Sequence, residues 1–78
     1  MTKSMKKEIA ERMIIKIRLY QCYKDNYKEN KRHCPFYSEL VGIEELLKLM
    51  GIEFEYTYDL NTLEITAVTL DNDIVIWV

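Results

Sequence analysis

The sequence predicts a small α+β domain in which two N-terminal helices pack on a three-stranded antiparallel β-meander. Two observations predict this fold class. Apolar residues recur every three or four positions up to Met50, and at every second position from Ile52 onward. Turn-forming residues then divide the second part of the chain into three short segments. We expect residues 1–78 to form a single domain, since a chain of this length buries only one small core.

The first helix is predicted from Lys3 to about Arg32, because no Gly or Pro occurs before Pro35. Its apolar residues form one stripe, and a second apolar set widens that stripe in the middle of the helix. At 1.5 Å per residue, a continuous helix of this length would span roughly 42 Å, which exceeds a compact domain of this size. We therefore expect either a break between Asp25 and Asn30 or support from a second chain.

The second helix is predicted over residues 36–50. Pro35 at the first helical position and Ser38 as an N-cap are alternative starts. Gly51 stands where a C-terminal cap belongs. Gly42 lies inside this helix, where glycine costs about 1 kcal/mol relative to alanine. We therefore expect a close packing contact at Gly42.

Three strands are predicted, over residues 52–58, 63–70 and 74–78, with turns at 59–62 and 71–73. A two-residue loop in the second turn would place Ile74 and Ile76 on the core face beside Ile65 and Ala67. Val68, Leu70, Val75 and Trp77 would then face outward. The predicted core comprises Ile9, Met13, Ile17, Leu40, Ile43, Leu47, Phe54, Tyr56, Ile65, Ala67 and Ile76.

The predicted outer face of the sheet is the main candidate for binding a protein. It combines apolar residues, including the single Trp, with an acidic rim, as protein interfaces do. The last strand also has no predicted neighbour on one side, so its edge can pair with another strand. A homodimer is the first form to expect, and the alternative is that the first helix covers this face as core. The predicted interface is Val68, Leu70, Val75 and Trp77, and the rim is Glu53, Glu55 and Glu64.

Charge divides the chain into a basic and an acidic part. Residues 1–35 carry ten Lys and Arg against four Asp and Glu, whereas residues 36–78 carry one Lys against nine acids. Cations interleaved with tyrosines bind nucleic acid when the rings stack on bases and the cations neutralise phosphates. The same stripe also fits an acidic protein or the margin of a core, and the acidic strands fit either a nucleic-acid mimic or a solvated face. The candidate nucleic-acid surface comprises Lys16, Tyr20, Tyr23, Lys24, Tyr27 and Lys28.

The residues required for catalysis or metal binding are sparse. No Gly-rich phosphate loop, nucleophile elbow or His-Glu-x-x-His pattern occurs. Structural zinc needs four ligands, and Cys22, His33 and Cys34 supply three without paired spacing. We expect no enzyme, no catalytic residue, no metal and no cofactor. Two cysteines without a disulfide framework, no leader pattern and no long apolar run lead us to expect a cytoplasmic protein outside the membrane.

The segment from Val41 to Phe54 joins a helix, the capping Gly51 and an entering acidic strand, and it follows a long charged helix with tyrosines. This arrangement resembles small proteins of unassigned function carried by phages and mobile elements of Gram-positive bacteria. The resemblance covers about a third of the chain and brings no family chemistry and no site residues. It implies a setting in which small chains bind and inhibit host proteins, including defence nucleases.

Overall fold

A computed structural model describes residues 2–78 and has the predicted α+β architecture. The strands form one antiparallel sheet in the order β1-β2-β3. Helix α1 contacts α2, β2 and β3, so the helices cover one face of the sheet and leave the other uncovered. The elements are α1 Lys3–Tyr23, α2 Pro35–Leu49, β1 Phe54–Tyr58, β2 Ile65–Leu70 and β3 Ile74–Trp77.

Helix α1 is shorter than the sequence predicts, because it ends at Tyr23. The chain continues in two short 3₁₀ turns, Lys24–Tyr27 and Lys31–His33, with the Asn30 side chain capping the second. A helix of 21 residues spans about 31 Å. This length fits within the longest dimension of the domain, 37 Å, so α1 needs no second chain to support it.

Helix α2 begins at Pro35, the first of the two alternative starts. The Ser38 hydroxyl does not cap the helix and instead donates a hydrogen bond to the carbonyl of Arg32, at 2.9 Å. Gly42 makes no close contact, because a Cβ atom added there would meet no heavy atom within 4 Å. The predicted packing contact at Gly42 is therefore wrong within this chain.

Helix α2 ends in a Schellman motif, as the position of Gly51 predicts. Gly51 has a φ of +72°, which glycine adopts without steric cost. Its N–H donates to Lys48 at 3.1 Å, and the N–H of Ile52 donates to Leu47 at 2.9 Å. Ile52 is buried in the core cluster, so the cap also directs the chain toward β1.

The connection between β2 and β3 sets which face of the sheet is buried. Asp71 and Asn72 have φ values of 50° and 62°, as in two-residue hairpin turns, and the Asp73 N–H donates to Leu70 at 3.2 Å. Asp73 nevertheless lies outside the ladder, which pairs Leu70 with Ile74. The prediction of a two-residue loop is wrong. The third residue shifts the pairing by one position and thereby exchanges the two faces of β2 relative to β3.

Val68 and Leu70 face the core, so the prediction that they lie on the outer face is wrong. Both side chains are 0% exposed. The ladder places Val68 between Tyr56 and Ile76, and it pairs Leu70 with Phe54 on its other side. These inner-face side chains of all three strands therefore share the face that the helices cover, whereas Val75 and Trp77 lie on the other face.

Ala67 occupies the outer face, between Thr57 of β1 and Trp77 of β3. It is fully buried, as predicted, but it lies outside the cluster that packs between the helices and the sheet. The small side chain in the central strand is covered by its larger cross-strand neighbours. The centre of the outer face therefore carries a small side chain, and the large Trp77 side chain lies at its edge.

The core lies between the two helices and the inner face of the sheet. Its buried members are Ala10, Met13, Ile14, Ile17, Leu40, Leu47, Ile52, Val68 and Leu70. Six further residues of the predicted core pack against this cluster while remaining partly exposed: Ile9, Ile43, Phe54, Tyr56, Ile65 and Ile76.

Candidate protein-binding surface

Strand β3 forms one edge of the sheet and carries the most exposed aromatic side chain of the outer face. Trp77 is 66% exposed and Val75 is 46% exposed. They alternate with Ile74 and Ile76, which pack on the core, so the exposed pair follows from the period of two along the strand. We call Val75 and Trp77, together with the free edge of β3, the β3 surface.

The backbone of the same two residues is free at this edge. The N–H of Val78 donates to the carbonyl of Thr66 at 2.8 Å, which makes these residues a hydrogen-bonded pair. Because hydrogen-bonded and non-hydrogen-bonded pairs alternate in an antiparallel ladder, Val75 and Trp77 belong to non-hydrogen-bonded pairs with Thr69 and Ala67. Their N–H and C=O groups therefore point away from β2, toward the open side of β3.

The acidic rim does not assemble around the β3 surface as a unit. Glu55 lies on β1 opposite Thr69, on the outer face. Glu53 precedes β1, where its N–H donates to the Asp71 carboxylate at 3.0 Å. Glu64 precedes β2 and pairs with Lys24 of the first 3₁₀ turn at 3.5 Å. Glu55 is therefore the rim residue that shares the face of Trp77.

Two of the three cations of the predicted nucleic-acid surface form ion pairs within the molecule. Lys16 pairs with Glu39 of α2, and Lys24 pairs with Glu64. Lys28, in the loop after the first 3₁₀ turn, is exposed. Each pairing neutralises a charge that a phosphate would require.

Two of the three tyrosines of that surface pack on α2. The Tyr20 ring centre lies 5.3 Å from that of Tyr37, and the Tyr23 ring is stacked on Phe36 at 6.0 Å. Tyr27 lies in the first 3₁₀ turn, after α1 has ended, and is half-buried. The stripe thus serves as the margin between α1 and α2, which was one of the alternative interpretations of the sequence.

Three side chains, Lys6, Tyr56 and Asp71, have pKa values shifted away from neutral pH. Burial, followed by a hydrogen bond to the Glu44 carboxylate, raises the pKa of the Tyr56 hydroxyl. The ion pair between Lys6 and Asp71, at 2.9 Å, raises the pKa of the amine and lowers that of the carboxyl. The contacts of these three groups join α1 to the β2–β3 connection and α2 to β1.

A second apolar surface lies between the helices, and the sequence analysis missed it. Ile15 of α1 and Leu46 of α2 are more than half exposed, and they line a groove that also contains Ile43 and Gly42. The sequence feature that indicates this groove is Gly42, a glycine inside a helix for which the chain supplies no packing partner. The groove is flanked by the ion pair of Lys16 with Glu39 and by Arg12.

Comparison with protein-family models, with curated proteins and with solved structures found no match for this chain. Over residues 2–78, neither helix combines the length and apolar character that crossing a bilayer requires. Within the same residues, His, Cys, Asp and Glu side chains form no group of three or more that could hold a metal ion. Cys34 is buried and Cys22 is exposed, and both are free.

Proposed function

We propose that this chain is a non-enzymatic protein-interaction module that binds a protein partner through the β3 surface. The observation that carries the proposal is the coincidence of two exposed apolar side chains and free backbone groups in the same two residues, Val75 and Trp77. Strand addition to a sheet edge uses both features, because backbone hydrogen bonds give affinity and alternate side chains give specificity.

Trp77 supports this proposal more strongly than the other exposed apolar residues. Tryptophan is enriched among the residues that dominate binding energy at protein interfaces. A tryptophan that is 66% exposed gains little stability for the isolated domain from its large apolar area. Burial against a partner would give that area a role.

The proposed partner is a protein rather than a nucleic acid, because two of the three lysines in the basic stripe are paired with acids and two of its three tyrosines pack on α2. We therefore expect no change in tyrosine fluorescence when an oligonucleotide is added at low salt, where phosphate contacts are strongest. The resemblance of residues 41–54 adds a setting to the proposal, in which a chain carried by a phage or mobile element binds and inhibits a host protein such as a defence nuclease.

The test is photo-crosslinking in cells that express the full chain. A p-benzoylphenylalanine residue is introduced in place of Trp77, and in a matched control it replaces Glu11, an exposed residue of α1. We expect discrete protein adducts from position 77 that are absent from position 11. Equal labelling at both positions, or no adduct from position 77, would refute binding through the β3 surface.

A further inference from the structure

The two edges of the sheet differ in how they are protected against pairing. Free sheet edges in natural proteins are usually guarded by charges, proline or bulges. The β1 edge carries Glu55 and is bracketed by Glu53 and Asp59, and its ladder with β2 contains an irregularity. Strand β3 carries no charged residue, no proline and no irregularity in its pairing, and the charged residue that precedes it, Asp73, lies 4.0 Å from the Lys6 amine. The unguarded edge is therefore β3, and a partner strand that matches it should also be uncharged.

The free backbone groups of β3 are arranged symmetrically about one residue. Val75 and Trp77 present their N–H and C=O groups to the open side, and Ile76 lies between them. In an antiparallel pair centred on Ile76, each of these two residues would face the other residue of a second β3 strand. One strand therefore supplies both the donors and the acceptors that an identical strand requires.

We propose that β3 pairs antiparallel with β3 of a second copy of this chain, about a two-fold axis at Ile76, to form a continuous six-stranded sheet. This inference rests on the proposed function and names its partner. Val75 would exchange two hydrogen bonds with Trp77 of the partner subunit, and Trp77 would exchange two with the partner's Val75. The four exposed side chains would then form one apolar block on the outer face.

The side chains favour a second copy because a two-fold interface must be complementary to itself. About Ile76, Ile74 faces the partner's Val78, and Ile76 faces the partner's Ile76, so every opposed pair is apolar. The same operation at the β1 edge, centred on Tyr56, would set Glu53 opposite the partner's Asp59. Like charges placed directly opposite each other destabilise a strand pair, so self-pairing is favoured at β3 and opposed at β1.

The single tryptophan of the chain lies in the proposed interface and serves as its probe. For the full chain, light scattering after size exclusion is combined with the emission maximum of Trp77, from low micromolar to near millimolar concentration. We expect the molar mass to double while the emission shifts to shorter wavelength over the same concentration range. A constant monomer mass at every concentration would overturn the two-fold pairing.

Two substitutions at position 75 separate strand pairing from simple apolar contact. Val75→Pro removes an N–H that points away from β2, at an edge position that tolerates proline. We expect a folded monomer by circular dichroism and light scattering. Val75→Thr, the matched control, keeps the N–H and the branched side chain, and should remain a dimer. A dimeric proline variant, or a folded but monomeric threonine variant, would overturn the pairing geometry.

If the proline variant loses its circular dichroism spectrum, Val75→Lys takes its place. A lysine on the outer face keeps the ladder with β2 and guards the edge, so we expect a folded monomer, and a dimer would overturn the proposal.

The crosslinks from position 77 distinguish self-pairing from the proposed function. A monomer whose adducts contain only other proteins overturns self-pairing and leaves the proposed function intact, whereas a monomer without adducts overturns both.

Discussion

Val68→Ala and Val75→Ala form a matched pair that tests the register of the β2–β3 hairpin. Both remove the same two methyl groups from a strand, so the intrinsic strand preferences of the two residues largely cancel in the comparison. They differ in environment, because Val68 is 0% exposed on the inner face and Val75 is 46% exposed on the outer face. The three-residue connection at Asp71 to Asp73 is what places these two valines on opposite faces.

The expected magnitudes follow from burial. Removing two buried methyl groups costs about 1.6 kcal/mol in transfer free energy at about 0.8 kcal/mol each. The cavity left at Val68 raises the loss to about 2–3 kcal/mol. At Val75 water fills the space and about half of the area was already exposed, so we expect a loss of roughly 0.5–0.8 kcal/mol. In a domain of this size, the difference lowers the melting temperature of Val68→Ala by about 10 °C relative to Val75→Ala.

The assay is urea unfolding followed by far-UV circular dichroism, at the lowest concentration that gives a signal, so that self-association does not contribute. The slope of unfolding free energy against urea should be unchanged in both variants, which allows the midpoints to be compared. Equal losses in the two variants, or a larger loss for Val75→Ala, would contradict the register. A two-residue connection would give similar losses in the two variants, since Val68 and Val75 would then lie on the same face of the sheet.

Three further predictions concern single side chains. Gly42→Ala should raise the free energy of unfolding by about 0.5–1 kcal/mol, because the new methyl group meets nothing within 4 Å. Gly51→Ala should lower it by about 1 kcal/mol, because Gly51 has a φ of +72°. Urea midpoints measure both changes, and changes of the same sign would contradict the assignment of the helix end. Burial and Glu44 raise the folded-state pKa of Tyr56, so above pH 10 the unfolded chain releases a proton that the folded chain keeps, and stability falls. Tyr56→Phe should be less stable by about 1 kcal/mol at neutral pH and should lose less stability in alkali, as thermal melts across this pH range would show; an unchanged alkaline slope would refute it. The ion pair with Lys6, then the hydrogen bond from Glu53, lower the folded-state pKa of Asp71, so its contribution is present above about pH 4 and is lost on acidification. Asp71→Asn tolerates the positive φ and keeps the acceptor, so its melting temperature should fall less between neutral and acidic pH, and an equal fall would exclude the ion pair as the cause.

The order and type of the elements could be predicted from the sequence because they depend on local patterns. The change of apolar period at Ile52, Pro35 at the start of α2 and Gly51 at its end all act within a few residues. The end of α1 was harder to predict from the sequence, since the residues after Tyr23 have ordinary helix propensity. Helix α1 ends where Tyr23 stacks on Phe36 of α2, and this contact depends on how the two helices pack. The Asn30 cap, which begins the second 3₁₀ turn, is a local feature.

Only two of the four predicted interface residues lie on the outer face. The reason is that the register between β2 and β3 depends on whether Asp73 belongs to the turn or to the strand. Asp71 and Asn72 carry the usual signal of a two-residue turn, and nothing in the sequence shows that Asp73 falls outside the pairing. Val75 and Trp77 lie on the outer face as predicted, whereas Val68 and Leu70 lie in the core. The pairing of Lys16 with Glu39 was equally hidden, because it depends on how the two helices lie side by side.

Both ends of α1 are fastened to residues far along the chain. Near its start, Lys6 pairs with Asp71 of the hairpin at 2.9 Å. Near its end, Gln21 accepts a hydrogen bond at 2.7 Å from the N–H of Ile65, 44 residues away. During synthesis, α1 therefore leaves the ribosome before either contact can form, and a helix without tertiary packing lacks the main source of its stability in a folded protein. The domain is completed as one unit when the hairpin docks, and amide hydrogens in α1 and in the hairpin should exchange through the same global opening.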